Sequence, residues 1–297
     1  MPLFFFISGF LTKEEFISRK VLSKYWHNLL IPYFCYNIIH IPYWVARHIS
    51  DATHTNWYDI YKPLLGTLFM QHESSICEPL NGVTWFIAIL FLFKILLSLC
   101  NRIRIGKLII LLTILLCSIL YIINEKHRIV TSLPTVGLLR CLPFFFLGYY
   151  VKRGNWISNE TNNLDGFFCV GGFLISIITF LLYREENTLL MFGLKYFTIC
   201  VFAILGFLCL CKVLDHIHSH IIVNISIGTI VILGFHWMLI GTTNYILTRL
   251  LCIEYGIKYQ WFTAIFLSIT IVAILYPVIL VFKKRVPFML GKSNLRK

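Results

Sequence analysis

Met1-Pro2-Leu3-Phe4-Phe5-Phe6-Ile7-Ser8-Gly9-Phe10-Leu11 opens the chain and meets no charge until Lys13. A bilayer's hydrocarbon core is ~30 Å thick and takes about 20 apolar residues at 1.5 Å each, so this run reaches only about halfway. No basic region precedes it and no small-residue cleavage site follows, so it does not read as a signal peptide and is expected to stay in the mature chain. The outer part of this first segment is expected to lie upstream of Met1.

Composition supports a membrane reading throughout. The 297 residues are 58% hydrophobic and 13% charged, with a mean hydropathy of +0.80, which excludes an ordinary soluble domain. Beyond the opening run, apolar stretches of spanning length fall near 25–46, 80–100, 105–123, 135–151, 166–183, 190–211, 221–247 and 260–282. The expected fold is an all-α polytopic transmembrane helix bundle of about nine segments, one domain over 1–297 with no separate soluble domain. The stretch from Trp57 to Met70 is too short to span, and its Tyr58, Tyr61, Leu64, Leu65 and Leu68 suit an amphipathic helix at an interface.

Lys and Arg in the loops set the orientation. One side collects Lys13, Arg19, Lys20, Lys24, Arg102, Arg104, Lys107, Lys152, Arg153, Lys212 and six residues of the tail, 16 in all against 7 on the other side. The expected C-terminus is cytoplasmic, and nine segments would place Met1 outside. The net charge of +13 is then a topology signal with an affinity for anionic lipid, so the bilayer is the expected partner and nucleic acid is not.

The ten cysteines scatter through the segments as small apolar residues. Cys209-Leu210-Cys211 is an isolated pair without a zinc or redox spacing, and Cys77 with Cys252 both fall in outer loops. His216, His218 and His220 form an HxHxH run at a segment end with no partner ligand in view, and no metal site is expected.

Ionisable groups inside segments carry more information, because each costs several kcal/mol in hydrocarbon unless it faces protein or water. Depth along their segments places Arg140, His236, His40, Asn81 and Trp85 in one leaflet. A polar cavity open to the outer face accounts for all five. Each also has a structural reading: Trp85 as an interfacial anchor, His40 bonded to headgroups or water, Arg140 snorkelling outward, His236 as a hydrogen-bonded core histidine.

The run 1–10, followed by Arg19-Lys20 and Leu30-Ile31-Pro32-Tyr33-Phe34, resembles the second and third helices of the acyltransferase 3 family, nearest its fucose 4-O-acetylase-like branch. Thr84-Trp85-Phe86-Ile87, the run from Leu142 to Tyr150, Ile225-Ser226-Ile227-Gly228-Thr229 leading to His236, and Pro287 to Lys292 follow in the family's order. The resemblance implies ten helices, of which the first is absent here together with its Arg and its acyl-transfer His. It also implies acyl-CoA, with acetyl-CoA foremost, as a co-substrate rather than a bound cofactor. The expected activity is O-acyl transfer, most simply O-acetyl transfer, to a sugar hydroxyl of an extracytoplasmic polysaccharide or glycolipid.

Such a transfer needs a base for the hydroxyl proton and a positive or donor group where the thioester oxygen gains charge. Arg140 and His236 are the expected catalytic groups; Trp85, His40, Ser8 and Asn81 the substrate-binding ones; Arg19, Lys20 and Lys24 the contacts to CoA phosphates. Ser8 and Gly9 would let a helix approach closely. The alternatives are a non-enzymatic polysaccharide transporter or assembly protein, for which no inverted repeat is visible, and an inactive fragment. Acceptor sugar, acyl group and oligomeric state are not legible.

Overall fold

The structure, a computed structural model, describes residues 1–50, 61–69, 80–127, 129, 133–155, 165–182, 189–215, 217, 219–250 and 261–291. The first half comprises α1 (Pro2–Phe10), α2 (Arg19–Tyr25), a π turn (Trp26–Leu30), α3 (Ile31–Ser50), α4 (Tyr61–Phe69), α5 (Trp85–Arg102) and α6 (Gly106–His127). Then come α7 (Leu133–Arg153), α8 (Asp165–Leu182), α9 (Leu189–Val213), α10 (His220–Ile227), α11 (Thr229–Tyr245), a π turn (Ile246–Leu250), α12 (Trp261–Arg285) and a 3₁₀ turn (Pro287–Leu290). No strand occurs among the described residues, and the fold is an all-α bundle.

Among the described residues, seven stretches are long and apolar enough to cross a membrane: Arg19–Ala46, Trp85–Arg102, Gly106–Glu125, Asp165–Leu182, Lys195–Val213, Thr229–Thr248 and Phe262–Arg285. The chain is a multi-pass membrane protein. These seven coincide with seven of the nine expected segments; the other two are α1, of nine residues, and α7. All of 141–146 is buried, which at 100° per residue covers every side of that stretch of α7, so the middle of this helix packs against protein all round.

The chain divides into two compact units. One comprises Met1–Ile17 and Phe93–His218, the other Ser18–Leu92 and Ser219–Lys297. In the first, α1 lies against α7 through a reciprocal pair of glycines: a Cβ on Gly9 would strike the carbonyl of Phe145, and one on Gly148 the carbonyl of Phe6. Phe5, Phe93 and Phe145 stack in series with centroids 5.4 and 5.5 Å apart. Helices α8 and α9 use the same device, since a Cβ on Gly172 would come within 2.8 Å of the Phe202 carbonyl, and Lys212 pairs with buried Asp165 at 3.4 Å. Small residues are what allow such backbone approach where lipid, being as apolar as leucine, offers no hydrophobic drive.

In the second unit the π turn before Pro32 has a local cause. Pro32 has no N–H to give the carbonyl of Asn28, the Ile31 amide reaches back to Trp26, and the freed carbonyl faces Gly291, whose Cβ would lie 2.7 Å from it. Gly291 has φ +69°, a conformation glycine adopts without strain, and the Tyr36 hydroxyl donates to Met289 at 3.1 Å. The C-terminal turn is thereby clasped to α3. Helix α4 hangs on the same helix, Tyr33 donating to the Thr67 carbonyl at 2.7 Å, and exposes Tyr61, Leu64 and Leu68 on one face, as an interfacial helix would; Trp57, Tyr58 and Met70 lie outside the described residues.

The segment expected as continuous over 221–247 is interrupted. Gly228 separates α10 from α11, and a Cβ there would meet Ile279 of α12 at 2.5 Å. The Thr229 hydroxyl donates to the Ser226 carbonyl at 2.9 Å across the break. The expected start at residue 25 also moves: the helix begins at Arg19, capped by the Ser18 hydroxyl, which accepts from the Val21 amide at 3.3 Å.

Candidate active site

His40 lies on α3 in the second unit and is fully buried, which removes the reading that it bonds headgroups. Its Nδ1 stands 2.8 Å from the Tyr36 carbonyl. A carbonyl only accepts, so Nδ1 carries the proton and Nε2 presents a lone pair. Among the described residues that Nε2 has no hydrogen-bond partner.

The turn leading into α5 closes over this histidine. Asn81 is buried; its amide nitrogen donates to the Gly234 carbonyl at 2.9 Å and its Oδ1 accepts from the Val83 amide at 3.2 Å. The same nitrogen lies 3.5 Å from His40 Nδ1, a close approach of two donors and not a hydrogen bond. Asn37, buried one turn before His40, donates to Thr84 Oγ1 at 3.1 Å and to the Tyr33 carbonyl at 2.8 Å. Trp85, next along, is only 9% exposed, so its ring sits inside the protein rather than at a membrane surface.

Helix α11 supplies the opposite wall. Gly234 receives the ring of Tyr36 and Gly241 the hydroxyl of Tyr43; the matched seven-residue spacing on both helices means α3 and α11 run parallel here. Between those contacts, Phe235 lies 6.4 Å from the His40 ring. His236 follows, half-buried, with Nδ1 at 3.1 and 3.0 Å from the carbonyls of Ile232 and Leu233. Its proton is therefore also on Nδ1, and its Nε2 presents a second lone pair.

Arg140 lies on α7 in the first unit. Its Nε donates to the Tyr196 hydroxyl at 2.9 Å, and the guanidinium sits 5.3 Å from that ring's centroid. Tyr196 stacks on Tyr121 at 5.0 Å. Among the described residues no carboxylate pairs with Arg140, so its charge is solvated by a phenol and a ring rather than neutralised.

The remaining expected residues are placed as follows. Ser8 is half-buried and its carbonyl accepts from the Thr12 hydroxyl at 2.6 Å; the close approach belongs to its neighbour Gly9. Arg19 and Lys20 are exposed on the first turn of α2 and Lys24 on its last. Of the five residues expected to share a cavity, His40, Asn81, Trp85 and His236 belong to the second unit and Arg140 to the first. No group of three or more metal-ligating side chains occurs among the described residues; Cys77, Cys252, His216 and His218 lie outside them.

Residues 1–282 match the acyltransferase domain of the acyltransferase 3 family. The chain belongs to that family. The match covers every helix from α1 to the last turns of α12 and stops before the 3₁₀ turn at Pro287. No curated protein and no solved structure matches the chain.

As an acyltransferase 3 member the protein is a membrane acyltransferase, and its chemistry requires a proton acceptor. The structure supplies two buried or half-buried imidazoles with the tautomer fixed by main-chain carbonyls. Two contributors escaped sequence reading. Asn37 looked like one more residue of an apolar helix, although a buried Asn in a spanning segment signals a hydrogen-bonded network. Tyr196, 56 positions from Arg140, carries no local signal at all.

Proposed function

We propose that this acyltransferase transfers an acyl group, most simply acetyl, from acyl-CoA to a hydroxyl of an extracytoplasmic polysaccharide or lipid-linked sugar, and that His40 is its base. The observation that carries the reading is the fully buried His40 Nε2, bare of any partner among the described residues while Nδ1 is held on Tyr36. A buried acceptor without a donor costs roughly 1–3 kcal/mol, a cost that an incoming hydroxyl removes.

In the proposed reaction the sugar hydroxyl donates its proton to His40 Nε2 as its oxygen attacks the thioester carbonyl. The C–S bond breaks, and the leaving thiolate takes up the proton. His236, with the same tautomer, serves as a second acceptor for the proton or the sugar. Asn81 and Asn37 hold the turn at Trp85 against His40. Arg140 is assigned to charge stabilisation or donor positioning, and exposed Arg19, Lys20 and Lys24 to the CoA phosphates. The excess of Lys and Arg in the loops on their side supports a cytoplasmic position for them and for the C-terminus, in a bacterial inner membrane.

His40→Asn provides the test, because its amide can still donate to Tyr36 while Nε2 is lost. Transfer of labelled acetyl from acetyl-CoA to membrane glycan is expected to fall by about 10²–10⁴-fold, with unchanged membrane yield and thermal stability. Wild-type transfer by that variant removes His40 from the chemistry.

A further inference from the structure

A cavity of about 710 Å³ lies among α6, α7 and α9 of the first unit. Its mouth and its depth differ in chemistry. Lys107 stands on the first turn of α6 and Arg153 on the last turn of α7, while Ile114, Phe144, Leu147 and Val201 line the remainder. From Lys107 to the deepest α6 residue, Ser118, is eleven residues, about 16 Å along a helix. That is close to half of the ~30 Å hydrocarbon core, so the groove is one leaflet deep with its cations at headgroup level.

The charges at the mouth are unbalanced. Glu14 pairs with Arg153 at 3.0 Å, leaving the Arg153 side chain 43% exposed, and Lys152 rests on the Phe10 ring. Arg102 and Arg104 precede α6 and are exposed along with Lys107. Arg102, Arg104, Lys107, Lys152 and Arg153 thus outnumber Glu14 and its neighbour Glu15, whose carbonyl accepts from Asn101 beside Arg102, on the side that loop charge assigns to the anionic leaflet.

We propose that this groove is a site for an anionic phospholipid, one acyl chain lying along Ile114, Leu147 and Val201 and the phosphate between Lys107 and Arg153. A zwitterionic lipid offers the same chains without the net charge, so headgroup selectivity is what distinguishes a built site from ordinary annular lipid.

Native mass spectrometry of the detergent-purified full chain, incubated with equal amounts of phosphatidylglycerol and phosphatidylcholine of matched chains, provides the test. Wild type is expected to retain phosphatidylglycerol preferentially, by about fivefold for each cation engaged. Lys107→Glu should abolish the preference. Leu147→Trp, or Val201→Trp from the facing helix, fills the groove without touching a charge and should lower retention of both lipids. Equal retention of the two lipids by wild type, or an unchanged preference in Lys107→Glu, overturns the headgroup assignment; unchanged retention in both groove-filling variants overturns the location. Displacement of phosphatidylglycerol by equimolar acetyl-CoA or polyprenyl phosphate overturns the choice of occupant.

Discussion

The side-chain amide of Asn81 donates to the main-chain carbonyl of Gly234, 153 positions further along the chain, at 2.9 Å. This bond joins the turn that starts α5 to the stretch of α11 just before His236, and His40 lies beside both. Asn81→Asp is nearly isosteric but sets a carboxylate oxygen against that carbonyl. It should destabilise the protein by more than Asn81→Ala, whose cost is about 1–3 kcal/mol. Thermal unfolding in detergent ranks the two, and the opposite order would show that the contact is packing alone.

Gly148 is expected to be intolerant of any side chain. A methyl there meets the Phe6 carbonyl, and main chain cannot swing aside as a flexible side chain can, so Gly148→Ala should cost at least the ~1–3 kcal/mol typical of overpacking. Gly171→Ala on α8 is the control, since nothing lies within 4 Å of a Cβ at that position and helix propensity favours alanine by about 1 kcal/mol. Melting temperatures should move in opposite directions; parallel shifts would reject the α1–α7 approach.

Tyr196→Phe keeps the ring beside Arg140 and removes only the acceptor of its Nε hydrogen bond. A hydrogen bond to a charged group contributes about 1.5–3 kcal/mol. If Arg140 positions the donor, the variant should raise the KM for acetyl-CoA more than it lowers kcat. A drop in stability with neither kinetic constant changed would make the pair structural.

Gly291→Ala forces a Cβ into the left-handed region, at about 1–2 kcal/mol, and towards the Asn28 carbonyl 2.7 Å away. The C-terminal turn should loosen from α3. Limited proteolysis of the solubilised protein is expected to clip the tail faster in the variant, and equal protection would show that Met289 and Tyr36 hold the turn unaided.

Much of the fold was legible because length and hydropathy are local. A run such as 105–123 must be a spanning helix whatever surrounds it, since unpaired backbone amides in hydrocarbon leave no alternative. The break at Gly228 was not legible: Ile225, Ile227, Ile230 and Val231 read as unbroken apolar helix, and the packing of Ile279 from α12 against Gly228 has no signal along the chain. Helix α7 shows the reverse case, where a mediocre apolar run with an arginine is the best-buried helix of its unit.

For the site, sequence depth grouped Arg140, His236, His40, Asn81 and Trp85, because position along a spanning helix is set by a fixed rise per residue. Depth does not tell which unit a helix joins, and Arg140 belongs to the other one. Sequence reading ranked His236 above His40, and the structure supplies the ground for the opposite choice. Which histidine nitrogen bears the proton depends on a carbonyl one turn away, and whether the other nitrogen is satisfied depends on side chains from α5 and α11. The sequence by itself determined the class, the positions of the segments and the family, since these follow from apolar length, loop charge and motif order. Tertiary structure alone decided that Trp85 is buried, that Arg140 leans on a phenol, and that His40 Nε2 has no donor among the described residues. Hydrogen-bond satisfaction is a property of three-dimensional neighbours and has no period along the chain.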